Sequence, residues 1–384
     1  MGESQNKLHI CHICTKYPPA VSGIAKHVYD LSQLQAKQGH YVTIYCPNDV
    51  GDISSIDIHP NVHVIPLRSL GRPLNNPITP SIFIELMKSD FDIVHAHDFF
   101  LFGTIIAGFM NRIKKYPLII TCHTNKLIYN SKIKSVFQDL YISTIGIFIL
   151  RGARKVVVHN AENKRIFSEF GLNNLEIVPN GIYPQDYMVD VRDIIHFKEK
   201  LGLKENERIL LFVGRLVDRK GILDLIKAYA IINKSCPDTK LIIVGDGPLK
   251  NSLKKIVSDS KLEQNVIFMG FVSFYELVLC YHIADLTVVP SIFGETQGIV
   301  TLESLICGTP LVVSDLPCFT QMLPKENICV FSSENFEQLA EKIIGLFQDD
   351  LSLKKLMEGC KEFVVFNYSW EIISKKMDQL YNSI

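Results

Sequence analysis

Residues 286–313 read Leu-Thr-Val-Val-Pro-Ser-Ile-Phe-Gly-Glu-Thr-Gln-Gly-Ile-Val-Thr-Leu-Glu-Ser-Leu-Ile-Cys-Gly-Thr-Pro-Leu-Val-Val. A short apolar strand ends at Val289, a loop carries Glu295, a helix opens near Gly298, and a second strand begins at Leu311. Two strands joined through a helix are parallel neighbours, because the helix carries the chain back to the end where the first strand began. The same unit repeats on either side. Strand-like runs at Arg208–Val213, Lys240–Val244 and Val266–Met269 are each followed by a helical stretch.

The first half has the same pattern. Leu8–Cys14, Tyr41–Cys46, Val62–Pro66, Ile93–His95, Leu118–Cys122 and Lys155–Val158 read as buried strands, and Gly23–Gln38 as an amphipathic helix. The fold class is therefore α/β, with two Rossmann-like domains whose parallel sheets face a cleft. The expected boundaries are an N-terminal domain over 1–182, a polar linker over 183–207 and a second domain over 208–366. A closing helix within 367–384 is expected to cross back towards the first domain.

Composition narrows the function. Lys+Arg and Asp+Glu are both 40, so the chain lacks the basic excess of a typical nucleic-acid binder. The longest uncharged runs are too short to span a bilayer, and residues 1–7 are polar rather than leader-like, so a cytoplasmic location is expected. Arg112, Lys114 and Lys115 allow peripheral contact with an anionic membrane face. The ten cysteines are scattered through apolar segments, and Cys11 and Cys14 point to opposite faces of one strand, which argues against a disulfide or metal pair.

Candidate chemistry gathers at strand ends. Backbone N–H groups of Gly298, Ile299 and Val300, at a helix start, suit a phosphate. A carboxylate beside a diphosphate would be repelled, so Glu295 and Glu303 serve hydroxyls: Glu295 those of a sugar, Glu303 those of a ribose farther along the helix. After the first strand of this half comes Gly214-Arg215-Leu216-Val217-Asp218-Arg219-Lys220-Gly221. Arg215 and Lys220 would neutralise a leaving diphosphate, with Arg219 as the competing cation. Gly245 opens a tight turn after another strand, and Val272 could hold a base edge through backbone groups. In the first half, Val21-Ser22-Gly23-Ile24 begins a helix where Gly23 leaves room for a ligand. His123 follows a strand and could bind sugar or acceptor, whereas His95 reads as a core residue. Asp90-Phe91-Asp92 matches a metal-binding DxD pattern but sits where turn acids are common, so no metal is expected.

Taken in order, Gly23, His-Ala-His-Asp (95–98), Thr-Cys-His-Thr (121–124), Val-Pro-Asn-Gly (178–181), Gly214–Gly221, Val-Gly-Asp-Gly-Pro (244–248) and Glu295–Glu303 resemble the retaining, GT-B-fold glycosyltransferases of family 4. Seven residues separate Glu295 from Glu303, as in that family's E-x7-E signature. The resemblance implies that Glu295 binds donor sugar hydroxyls, Glu303 the ribose, and Arg215 and Lys220 the diphosphate. It puts Gly23 and His123 on the opposing wall. The implied function is hexosyl transfer from a nucleotide-sugar, UDP first and GDP second, to a lipid-linked, glycan or small-molecule acceptor, without cofactor. A sugar-nucleotide epimerase of the same fold, or an inactive partner subunit, is the alternative. Two departures stand out: Glu-Thr-Gln-Gly replaces the frequent Glu-Gly-Phe-Gly, and Ser304 replaces a frequent Ala.

Overall fold

In the computed structural model, residues 7–20, 22–73, 76–124 and 140–384 are described. They divide into two compact units, one of residues up to 180 together with 373–384, the other of residues 181–372.

The first unit is built on seven parallel strands: β1 (His9–Ile13), β2 (Tyr41–Pro47), β3 (Val62–Leu67), β4 (Ile93–His97), β5 (Leu118–Thr121), β6 (Lys155–Val158) and β7 (Leu175–Ile177). Their order is β3-β2-β1-β4-β5-β6-β7. The chain thus leaves β1 in one direction and returns to its other side as β4, which puts the topological switch between these two strands, where such sheets bind ligands. Alternation sorts the side chains. Cys11, Ile13, Val94, Ala96, Leu118, Ile120, Cys122, Val156 and Val158 fill one apolar cluster, whereas Cys14 joins another with Val28, Val42 and Ile44. The two cysteines of the Cys-x-x-Cys segment therefore lie in separate clusters, and all ten cysteines are free.

The second unit has six parallel strands: β8 (Arg208–Val213), β9 (Thr239–Val244), β10 (Val266–Gly270), β11 (Leu286–Val289), β12 (Leu311–Ser314) and β13 (Ile328–Phe331). The order β10-β9-β8-β11-β12-β13 places its switch between β8 and β11. Those are the strands that precede the Gly214–Gly221 and Pro290–Gly298 loops.

One sequence expectation needs correction, and two strands were missed. The stretch 183–207, read as a polar linker, forms a helix over Val191–Lys200 and belongs to the second unit. Asp190 caps it through Arg192 N–H, and buried Phe197 anchors a helix whose other faces are wet, so periodicity alone missed it. Strands β7 and β13 also escaped the reading. β7 is only three residues with Glu176 at its centre, and β13 is a four-residue edge strand whose two middle residues are only half-buried. The last helix spans Trp370–Asn382, and its residues from 373 onward count with the first unit.

Candidate active site

The site residues of the second unit sit on loops that lock one another in place. The loop after β8 is tied to the loop after β9: Gly214 N–H donates to Val244 O at 3.0 Å, and Leu216 N–H to Asp246 O at 3.0 Å. It is tied equally to the loop after β11, where Ile292 N–H donates to Arg219 O at 2.8 Å. At Gly221, φ is +66° and a Cβ would lie 1.8 Å from Pro290 O, so no other residue fits where these two loops touch. Gly245 N–H reaches Gly270 O at 2.8 Å, which carries the framework on to Val272. Val272 is half-buried against the apolar core. The next residue, Ser273, caps the helix Phe274–Ile283 in a reciprocal capping box with Glu276.

This framework brings Lys220, Arg219 and Glu295 together. Lys220 Nζ is 2.5 Å from Glu295 Oε1, Ser291 Oγ donates to the same oxygen at 2.9 Å, and Arg219 Nη1 stands 3.6 Å away. The Glu295 side chain is 7% exposed, so its charge depends on these partners. Arg215 is exposed and has no carboxylate partner among the described residues. The two cations expected to act alike are thus held differently: Lys220 is already paired, and Arg215 projects into solvent.

The helix Ile299–Ile306 starts at Gly298, whose φ of +68° is left-handed, and no side chain caps it. Its first turn contains no acidic residue, and Ile299 and Val300 are only half-buried, so the positive end of the helix dipole is unopposed locally. Glu303 lies one turn in and is 7% exposed. Two tyrosines hold it: Tyr187 Oη donates to Oε1 at 3.0 Å and Tyr281 Oη to Oε2 at 2.8 Å. Burial, and then the Glu303 charge, push both phenols far above their ordinary range, so they remain donors. Ser304 is structural. Its buried hydroxyl bridges Thr287 Oγ1 at 2.7 Å and Thr309 O at 2.8 Å, linking helix and strand.

In the first unit Gly23 opens the helix Gly23–Lys37, with Ser22 capping Ala25 N–H, and a Cβ there would meet nothing within 4 Å. Val21, the first residue of that motif, lies outside the described residues. His123 is not an isolated strand-end residue. Period-two alternation puts His12, His95, His97, Thr121, His123 and His159 on one face of the sheet, and all are buried. His159 Nδ1 lies 3.0 Å from Val178 O, His159 Nε2 3.2 Å from His123 Nδ1, His123 Nε2 3.1 Å from His97 Nδ1, and His97 Nε2 3.0 Å from His12 Nδ1. His12 Nε2 then meets Gln35 Oε1 at 2.8 Å, and Gln35 Nε2 meets Tyr381 Oη at 2.9 Å. Tyr381 Oη continues to His95 Nδ1 at 2.7 Å, and His95 Nε2 to Thr121 Oγ1 at 2.7 Å. His27 packs edge-on against His123 with ring centroids 4.9 Å apart.

Asp98, buried and at a left-handed φ of 66°, accepts the backbone N–H groups of His123 at 2.7 Å and Thr124 at 3.1 Å on one oxygen. Burial nevertheless pushes its carboxyl up to about 7. Sequence reading missed Asp98, Tyr187, Tyr281, Ser291 and the histidine array. The array had a legible signal, histidines recurring at alternate strand positions, whereas the tyrosines come from distant segments. The acids of the DxD segment act apart: Asp90 pairs with Lys114 at 2.8 Å, and Asp92 accepts His9 N–H at 2.7 Å.

Two family models match the chain. "Glycosyltransferase Family 4" covers residues 21–186, and "Glycosyl transferases group 1" covers residues 193–363. The chain belongs to the family 4 glycosyltransferases and has the GT-B fold. Among its relatives, an alpha-monoglucosyldiacylglycerol synthase of Acholeplasma laidlawii is 26% identical, across 95% of this chain and 94% of that one. A phosphatidyl-myo-inositol mannosyltransferase of Mycobacterium leprae is 23% identical, across 98% and 97%. The Anabaena protein Alr3699/HepE, solved in complex with UDP, superposes with a TM-score of 0.82 over 98% of this chain and 100% of its own, at 17% identity.

Proposed function

We propose that the chain is a retaining, metal-independent hexosyltransferase that takes a UDP-sugar first and a GDP-sugar second. The observation that carries this is the partly buried Lys220–Glu295 pair, one loop away from an uncapped helix start. An incoming diphosphate competes for Lys220 and recruits the exposed Arg215, while the helix start supplies N–H donors. Glu295, relieved of its lysine, accepts the sugar hydroxyls, and Glu303, oriented by Tyr187 and Tyr281, accepts the ribose diol. Gly245 and Val272 border the nucleotide.

The donor C–O bond then breaks with oxocarbenium character, and the diphosphate's charge is stabilised by Arg215, Lys220 and the helix start. The acceptor attacks from the same face, and a phosphate oxygen takes its proton. No side chain serves as nucleophile.

A lipid-linked acceptor at a membrane face is favoured. Phe83, Ile84 and Met87 of the helix Ser81–Lys88 are exposed, as are Phe109 and Ile113 of the neighbouring helix Phe102–Lys114, and Phe148 of Ile147–Gly152. Arg112 lies 3.8 Å over the Phe148 ring, with Lys114 and Lys115 beside it in sequence. An apolar surface with a basic rim suits an anionic bilayer. No helix among the described residues is long and apolar enough to cross a membrane. The names of both lipid-glycosylating relatives point the same way.

Calorimetry with UDP, GDP, ADP and their sugar conjugates tests the donor. Binding of UDP that weakens in Glu303→Gln is expected, and its absence in folded protein refutes the assignment. Turnover abolished by chelator and restored by manganese would refute metal independence. Failure to float with vesicles containing an anionic lipid would remove the membrane reading.

A further inference from the structure

Five hydrogen-bond links run from Val178 O through four rings, His159, His123, His97 and His12, to the Gln35 amide. A neutral imidazole carries one N–H, so the four rings supply four hydrogens, and Val178 O supplies none. The fifth comes either from the Gln35 amide or from a ring that has become an imidazolium. Desolvation opposes the second solution, holding His12 and His159 at about 4 and driving His97 and His123 well below the ordinary histidine value. The two ends of a glutamine amide are nearly alike in shape, and the surrounding hydrogen bonds decide which faces which.

We propose that Gln35 turns its amide nitrogen towards His12, locks the whole chain in the Nδ1–H tautomer, and is thereby a positioning residue for His123. Exchanging the amide ends completes the rest of the path. Gln35 Oε1 accepts from the Tyr381 hydroxyl, the Tyr381 oxygen accepts from His95 Nδ1–H, and His95 Nε2 accepts from the Thr121 hydroxyl, over the contacts already described. The opposite orientation needs one more proton in the chain and reverses the His95 tautomer. Gln35 therefore couples the charge of the array to Tyr381 on the C-terminal helix. The other titratable groups against the array are His27, edge-on to His97 and His123, and Asp98, bound to the His123 backbone.

The positioning role rests on the reading that His123 binds substrate, sugar or acceptor. Both its ring nitrogens are used within the chain, so His123 takes part as a fixed, neutral wall rather than as a proton acceptor. That agrees with a transfer in which a phosphate oxygen takes the proton.

The test is ring nitrogen NMR on the uniformly 15N-labelled, ligand-free full chain, with each histidine assigned by single substitution. At pH 7 His12, His97, His123 and His159 should each carry hydrogen on Nδ1 and none on Nε2. An Nε2–H on His12, or a doubly protonated ring in the chain, overturns the proposal. An ionised carboxylate can only accept, so Gln35→Glu should create a doubly protonated ring near neutrality. With UDP-glucose as probe donor, kcat in that variant should fall about tenfold while KM stays within about twofold, with a shifted pH profile. A Gln35→Glu chain that gains the imidazolium but keeps the wild-type profile refutes the positioning role. The wild-type spectrum decides the tautomers even where the variant does not fold. Expected tautomers without transfer from UDP- or GDP-sugars would count against the donor reading and not against the array.

Discussion

Lowering the pH from 7 to 5 should destabilise the first unit selectively, because its histidines are buried as neutral rings. Burial holds His12 and His159 at about 4 and His27 at about 3, against 6.5 for the exposed group. A folded-state value below the unfolded one means that the unfolded chain binds more protons between the two. Stability is therefore complete above about 6.5 and is lost as the pH falls towards the folded value. Between pH 7 and 5 each ring contributes a loss of about 2 kcal/mol, or about 6 kcal/mol for the three. Asp98 acts in the opposite sense. Its carboxyl rises from 3.8 to about 7, so the folded chain binds the extra proton and gains about 2 kcal/mol over the same range. These four groups give a net loss of about 4 kcal/mol, to which His95, His97 and His123, also held below the ordinary value by burial, add; that is a large part of an ordinary domain stability of about 5–15 kcal/mol. Urea titrations at pH 7, 6 and 5 measure it, with hydrogen exchange resolving the two units. The single tryptophan, Trp370, lies in the second unit, so its fluorescence serves as the internal control. Exchange protection in the first unit that stays constant from pH 7 to 5 would refute the reasoning, whatever Trp370 reports. Asp98→Asn should steepen the loss, because the opposing proton is gone.

Three further outcomes follow from the second unit. Arg215→Ala should lower turnover by about 10²–10³-fold with little change in unfolding midpoint, since Arg215 is exposed; unchanged turnover removes it from the site. Tyr281→Phe preserves shape and deletes one hydrogen bond to Glu303, so nucleotide affinity should fall by about tenfold, with the loss visible in calorimetry. Gly221→Ala should fail to give soluble protein or lose cooperative unfolding, because the added methyl would collide with Pro290 O; a midpoint within a degree of wild type would mean that the loops can separate.

Periodicity was enough to find most of the strands and the alternation that makes both sheets parallel, because a buried parallel strand is a run of apolar residues whatever surrounds it. It failed at β7 and β13, which are only partly covered, and at Val191–Lys200, where one buried phenylalanine and a cap suffice for a helix. The site was legible where chemistry and backbone coincide. Glu295, Lys220 and Gly298 each lie in the loop that follows a strand, so their place along the chain brings them to the same edge of the sheet.

Sequence by itself determined the α/β architecture, the family and the set of charged residues at the carboxyl ends of β8 and β11. Tertiary structure alone decided which of them are partnered. It paired Lys220 with Glu295 and left Arg215 open, and it brought Tyr187 and Tyr281 from separate segments onto Glu303. It also joined four strands, a helix and the C-terminal Tyr381 into one histidine array. The physical reason is range. Secondary structure and loop position follow from neighbours along the chain, whereas a buried polar group takes its partners from whatever packing brings within about 3 Å, and those partners lie up to hundreds of residues away.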